Sequence, residues 1–205
     1  MAILFVNDKI RDNGLQYLID NADKQVLCEG QPATYEDATT DKGSGGVALG
    51  ETTPTFTGPQ DAQTDGREVQ INAAAGVIVD VTGVTDYDAI VDDTNSELLA
   101  AVPRNLAEIT AVDTTTNTVT LSGDVTADIS AGDYITIRES TGNDGIYTVS
   151  SVTLNVDVTE VVTNEAIADA TADGYCIYGA IYVQSGGDTV SIAAYSIINR
   201  DATLA

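Results

Sequence analysis

Hydrophobic and polar positions alternate with a period of two over much of this chain, the pattern of half-buried β-strands. From Tyr134 to Arg138, Ile135 and Ile137 fall on one face and Tyr134, Thr136 and Arg138 on the other. Ser140 to Gly145 then breaks the alternation with residues that tolerate positive φ or bond their own backbone, so the chain must turn. Ile146 to Ser150 resumes it, with Tyr147 and Val149 in phase. The two runs predict a hairpin. A second hairpin is predicted where Ile109 to Val112 and Thr118 to Ser122 flank the polar run Asp113 to Asn117. Val156 and Val158 begin a further strand whose phase slips near Glu160 and Val161, as a β-bulge would make it do. Residues from Ile109 to about Gly179 therefore predict a small, self-contained antiparallel module.

The rest of the chain reads as strands and one helix. Ala2 to Val6 is a short strand or an apolar arm. Asn7 is a helix N-cap with Asp8 in the first turn, and the helix runs to about Asn21. Ile10, Gly14, Leu18 and Ala22 share one face of it, with Leu15 and Ile19 beside them. Glycine in a helix interior costs about 1 kcal/mol against alanine, so Gly14 predicts close approach of another backbone. Gln25 to Glu29 is a strand ended by Gly30 and Pro32. Thr34 to Gly66 is rich in Thr, Gly, Pro and Asp and predicts an irregular segment ordered by a partner, with Thr53 to Thr57 as an edge strand. Arg67 to Ile71 and Gly76 to Thr82 alternate, the latter with Val77, Val79 and Val81 in phase. Tyr87 to Val91 and Leu98 to Val102 form a hairpin around Asp92 to Ser96, and Pro103 ends it. Tyr175 to Val183 is a continuous apolar run, the pattern of a strand covered on both faces. Ser185 to Asp188 turns the chain, and Val190 to Ile198 is the last strand.

The strands before Pro103 lack the partners to close a sandwich, and those after Gly174 supply them. The expected fold is mainly β: an antiparallel β-sandwich with one N-terminal helix, residues 1–106 plus 178–205, carrying an inserted small β-barrel-like module at 107–177. Such an insertion requires the two ends of the module to lie close together on an exposed turn.

Charge narrows the possible partners. The 205 residues include 32 acidic and 8 basic side chains, a formal net charge of −24. A surface of that sign repels nucleic acid and anionic membranes. The acids are spread along the chain, which predicts a solvated outer surface that keeps the protein soluble. The Asp-rich turns Asp86/Asp88, Asp92/Asp93 and Asp61/Asp65 are the candidates for a weak Ca²⁺ ligand set, but none has EF-hand spacing. No metal, cofactor or small-molecule substrate is expected.

Chemistry is narrowed further. The chain contains no histidine, which excludes Ser-His-Asp and Cys-His nucleophile systems and removes the commonest zinc ligand. Paired carboxylates such as Asp92/Asp93 or Glu36/Asp37 are uninformative in so acidic a chain, and there is no tryptophan for a sugar platform. The GSGG and QSGGD stretches lack the Lys and the strand-loop-helix context of a phosphate cradle. No catalytic residues are assigned and no enzyme is expected. Cys28 and Cys176 each lie in an apolar strand-like run; they are buried free thiols, the reading suited to a cytoplasmic origin, or a staple between two halves of the chain. Tyr134, Tyr147, Tyr175, Tyr178, Tyr182 and Tyr195 fall in strand-like runs, as core-edge rings or as interface anchors. Met1 to Val6 is too short for a signal sequence and no run is long enough to span a membrane.

Two stretches carry a resemblance. ITAVDTTTNTVTLSGDVTADISAGDYITIRESTGNDGIYTVSSV, running on to EAIADATADG, resembles a module of tailed-bacteriophage virion proteins, with its strand-GD-strand-STGNDG-Y-TV-strand order. VNDKIRDNGLQYLIDNADKQVLCEGQPATYEDA, with the hairpin AIVDDTNSELLAAV, is similar to small phage structural proteins of the capsid decoration (cement) type. The resemblance implies a non-enzymatic virion protein, made in the host cytoplasm and bound to the capsid exterior. There it would bridge neighbouring major capsid subunits, as a homo-trimer. Met1 to Val6 and Thr34 to Gly66 are then the expected lattice contacts, with the inserted module pointing into solvent. The alternative is a receptor- or carbohydrate-binding module of a tail or head fibre, with its recognition patch around Thr141 to Asp144.

Overall fold

Short alternating runs separated by Gly, Asn and Asp turns leave the chain little choice but β structure, and the fold is mainly β, with antiparallel sheets. The computed structural model describes residues 5–6, 14–62, 66–185 and 188–199. The first strands are β1 (Phe5–Val6), β2 (Lys24–Cys28), β3 (Ala48–Thr52), β4 (Phe56–Asp61), β5 (Arg67–Ile71) and β6 (Ala74–Ile78). They are followed by β7 (Gly83–Thr85), β8 (Tyr87–Asp92), β9 (Glu97–Pro103), β10 (Asn105–Asp113) and β11 (Thr118–Ser122). The last are β12 (Tyr134–Arg138), β13 (Gly145–Asn155), β14 (Val158–Thr163), β15 (Tyr175–Val183), β16 (Thr189–Ile192) and β17 (Tyr195–Asn199). Two helices occur among the described residues, α1 (Leu15–Asn21) before β2 and α2 (Tyr35–Thr39) after it.

The chain forms two compact units. One comprises Val84–Asp86 and Pro103–Tyr182; the other comprises the described residues of Leu4–Gly83, Tyr87–Val102 and Val183–Ala205. From sequence a single excursion was expected at 107–177. The first unit also takes in 84–86, because β7 joins the edge of its sheet and Asp86 pairs with Arg138.

The first unit is a closed barrel. Its strands follow the order β10-β11-β14-β13-β12-β15, with β7 added beyond β15, and β10 pairs with β15 as well as with β11. Closure uses two halves of one strand: residues 105–108 of β10 pair with β15, and residues 109–113 pair with β11. Most inward side chains are apolar: Ile109, Val119, Leu121, Ile135, Ile137, Val149, Val161, Cys176 and Tyr178 are all buried in one cluster. The β12–β13 and β10–β11 hairpins are as the alternation predicts. The expected slip at Glu160 and Val161 does not occur. β14 keeps an unbroken alternation with Thr159, Val161 and Thr163 inward, and the register shift lies on β13, between Val149 and Ser151. A buried threonine is tolerated at 159 because its hydroxyl donates to the Gly123 carbonyl (2.9 Å) and accepts from Val125 N (2.9 Å). Tyr175–Val183 is covered on both faces only in its first half, since Ile181 and Tyr182 are 41% and 43% exposed.

In the second unit a five-stranded sheet, order β1-β9-β8-β2-β3, accompanies a three-stranded sheet, β17-β5-β4, and a two-stranded one, β16-β6. Leu15 and Leu18 of α1 pack with Ile90, Leu99 and Ala100 of the large sheet and with Val69, Ile71 and Ile197 of the three-stranded one. Leu27 and Leu49 pack with Val77, Val79, Val190 and Ile192. This is the sandwich expected from the alternation.

The start of the predicted helix is not tested by the described residues, and four other sequence expectations need correction. The helix predicted from Asn7 is described from Leu15, residues 7–13 lying outside the described residues. Gly14 is its N-cap at φ 77°, with open space where a Cβ would go, so it serves a positive φ and not a close approach. The Thr34 to Gly66 segment, expected to be irregular, carries α2, β3 and β4. Thr34 caps α2 by accepting from Asp37 N (3.1 Å) while Asp37 accepts from Thr34 N (3.1 Å), a reciprocal capping box. The edge strand is β4, Phe56–Asp61, rather than 53–57. The final run is two strands: β16 pairs with β6 and β17 with β5, so the chain changes sheets between Ile192 and Tyr195.

Asp86 is fully buried and accepts from Arg138 Nη2 at 2.8 Å. Arg138→Met removes one charged hydrogen-bond partner of the buried Asp86 carboxylate, and a hydrogen bond to a charged group is worth about 1.5–3 kcal/mol. Arg138→Met should lower stability by about that amount in urea unfolding. An Arg138→Met stability equal to wild type would contradict the structural role given to the pair.

Candidate functional site

The loop at 140–145, which contains the Thr141 to Asp144 patch of the fibre-module alternative, is held by hydrogen bonds within its unit. The Ser140 N–H (2.7 Å) and hydroxyl (2.9 Å) donate to Asp144 Oδ1, and Ser140 Oγ accepts from Asn143 N at 2.8 Å. Thr141 donates from its N–H (3.0 Å) and its hydroxyl to the Asp173 carboxylate. Asn143 is buried and acts as a clamp on the segment at 168–169. Its Nδ2 donates to the Asp169 carbonyl (2.8 Å), and its Oδ1 accepts from Ala168 N (3.1 Å) and Asp169 N (2.9 Å). The Tyr147 hydroxyl donates to the Asn143 carbonyl at 2.9 Å, and burial, followed by the nearby Asp144 and Glu165 charges, raises its pKa. In the preceding Gly132-Asp133 turn Asp133 accepts from Ser130 N at 2.7 Å, and the backbone of both residues bonds to Val149 of β13 (2.8 Å each).

Other carboxylates of this unit terminate turns in the same way. Hydrogen bonds from Thr115 and Thr116 hold Asp113 below the usual carboxylate range, those from Thr126 do so for Asp124, and those from Thr171 for Asp169. Burial pushes Glu165 upward, but the Thr148 N–H (2.7 Å) and hydroxyl (3.0 Å) outweigh it and its pKa is lowered. A pocket of about 520 Å³ is lined by Leu106, Glu108, Ile109, Ala172, Asp173, Gly174 and Tyr175. Asp173, its acid nearest the loop, is already bound to Thr141.

The second unit holds a more polar, open pocket of about 640 Å³, lined by Asp23, Lys24, Glu51, Thr52, Thr53, Asp93 and Thr94. Lys24 Nζ lies 3.2 Å from Glu51 and 3.4 Å from Asp93. Desolvation lowers the Lys24 pKa, but Glu51 and Asp93 override it and the net shift is upward. Tyr35 donates to Asp93, which raises the phenol and lowers the carboxylate. Asp23 Oδ2 accepts from Asp93 N (3.0 Å), Thr94 N (3.1 Å) and the Thr94 hydroxyl (3.2 Å). The arrangement binds a turn and neutralises one lysine; it does not set a nucleophile beside a base.

The Asp-rich pairs separate in space or in role. Asp86 faces Arg138, while Asp88 lies buried on β8. Asp92 accepts from Asn95 N (2.8 Å) and Nδ2 (2.7 Å) within its turn, whereas Asp93 joins Tyr35 and Lys24. Asp61 pairs with Arg67 at 2.7 Å, and Asp65 lies outside the described residues. No cluster of three or more acidic, Cys or His side chains suited to a metal occurs among the described residues. Cys28 and Cys176 are free and buried, and burial pushes the Cys176 thiol up to about 12, so it is protonated and inert at neutral pH. Tyr134 and Tyr182 stack with ring centroids 5.6 Å apart, while Tyr147, Tyr175 and Tyr178 are buried.

The chain matches no protein-family model, no curated protein and no solved structure. Asn143→Ala would strip partners from three backbone groups in the 168–169 segment. It should cost about 2–4 kcal/mol in urea unfolding, since Ala168 is exposed and Asp169 half-buried and each of the three hydrogen bonds lost is worth about 0.5–1.5 kcal/mol. Thr141→Ala, at an exposed position, should cost less than about 1 kcal/mol. Equal effects would show that Asn143 is no clamp.

Proposed function

We propose that this chain is a non-enzymatic decoration protein of a tailed-phage head, bound to the outer surface and bridging neighbouring major capsid subunits. The observation that carries the reading is where the virion-module motif falls. Asp133, Asn143 and Tyr147 are the residues that tie the turns of the closed barrel. The stretch on which the resemblance rests is thus a set of fold determinants for one module, rather than scattered matches. Acidic charge supports the outer face, since an inward-facing protein with a net charge of −24 would meet packaged DNA. Many weak contacts repeated over a symmetric lattice would provide avidity, and a trimer would match a local threefold arrangement.

Of the stretches expected to contact the lattice, residues 1–4 and 63–65 lie outside the described residues, while β1 and β4 are edge strands and β4 is largely exposed. Phe5 and Val6 pair with Ala101 and Ala100 as an edge strand, and most of the described 34–62 stretch has partners within its own unit. The fibre-module alternative draws less support, since the Thr141, Asn143 and Asp144 side chains of its expected patch make hydrogen bonds within the unit.

Quantitative gel densitometry of purified particles tests the reading. A copy number equal to, or a simple fraction of, that of the major capsid protein is expected. A handful of copies per particle would instead place the chain on a vertex, tail or fibre.

A further inference from the structure

The tip of the β13–β14 hairpin has a feature that packing does not explain. Asn155 pairs with Val158, so Val156 and Asp157 form a two-residue turn, with positive φ (60°) at Val156 only. Hairpin turns of this kind take glycine at that first position. A β-branched residue there is a strained outlier. Val156 is nevertheless 83% exposed, and Leu154 beside it is 45% exposed. An apolar side chain is therefore held on unfavourable backbone without burial in return.

The surroundings define what would cover it. Asp157 lies in the turn, and Glu160 is held beside it by Asn155 Nδ2 at 2.8 Å. Asp124 follows Gly123, whose carbonyl is bonded by Thr159. Between Pro103 and Tyr182 the only basic residues are Arg104 and Arg138, and Arg138 is paired with Asp86. The tip is thus an apolar point on an acidic ground. Nucleic acid, anionic lipid and a second copy of the same tip would all be repelled. An apolar socket rimmed by basic side chains would complement it in both shape and sign.

We propose that Leu154 and Val156 form a docking apex that inserts into such a basic-rimmed socket on a partner protein. The proposal rests on the decoration reading, under which the partner is the capsid surface. Full-length wild type, Val156→Gly and Leu154→Ser/Val156→Gly would be co-sedimented with capsids lacking this chain. Glycine accepts the turn geometry, so Val156→Gly should keep or raise the melting temperature while weakening binding. The double variant should bind about tenfold more weakly or worse, and wild-type binding should fall as NaCl rises from about 0.05 to 0.5 M. Wild-type binding with both variants unimpaired would overturn the apex and leave the decoration reading standing. Variants that lose self-association in sedimentation velocity, with capsid binding unchanged, would make the tip a contact between copies and overturn the basic-rimmed partner. Failure of the wild type to bind capsids would overturn the decoration reading and this proposal with it.

Discussion

The pairing of β10 with β15 is the constraint on which the barrel depends. It joins residues about 70 positions apart in the chain, with Asn105 opposite Tyr178 and Glu108 opposite Tyr175. Without it the sheet from β11 to β15 would be an open ribbon with its apolar face at a free edge; with it, the ring closes and the edge is removed. Closure has a second consequence. The two ends of the long segment become neighbouring strands, so the chain leaves and returns at one place, the geometry that an insertion requires.

The cost of this closure lies in its long loops, and side-chain chemistry at the turns offsets it. Asp113, Asp124, Asp133 and Asp169 each accept from backbone N–H groups two or three residues away, and Asn143 ties together segments about 25 residues apart. Much of the chain's acidity is therefore structural in its placement, although its sum is an electrostatic field. The same carboxylates that hold turns leave the barrel with an outer surface of one sign, interrupted by an apolar hairpin tip.

Legibility in the sequence followed the range of the interaction. The hairpins at 109–122 and 134–150 and the strand at 87–92 were legible because alternation and turn residues are local signals. α2 was missed although Thr34, Asp37 and the intervening residues form a capping box, because the surrounding Thr, Gly and Pro masked a helix of five residues. The split of the last strand between two sheets was not legible, since Val190, Ile192 and Ile197 share a pattern that does not name their partners. The buried Asp86 illustrates the same limit. Next to Asp88 it reads as half of an acidic pair, and only the fold brings Arg138, 52 positions away, to its carboxylate. From sequence Asn143 is a turn residue, and its inward clamp depends on a segment whose position no local rule supplies.

Native-state hydrogen exchange on the full chain tests most directly whether closure holds the barrel. The amides of residues 105–108 that bond to β15 should exchange as slowly as those in the middle of β12 and β14, and should lose protection together with them as denaturant is added. Exchange at 105–108 as fast as in the exposed loop at 114–116, with β11 to β14 still protected, would show an open sheet in solution and contradict the closed ring.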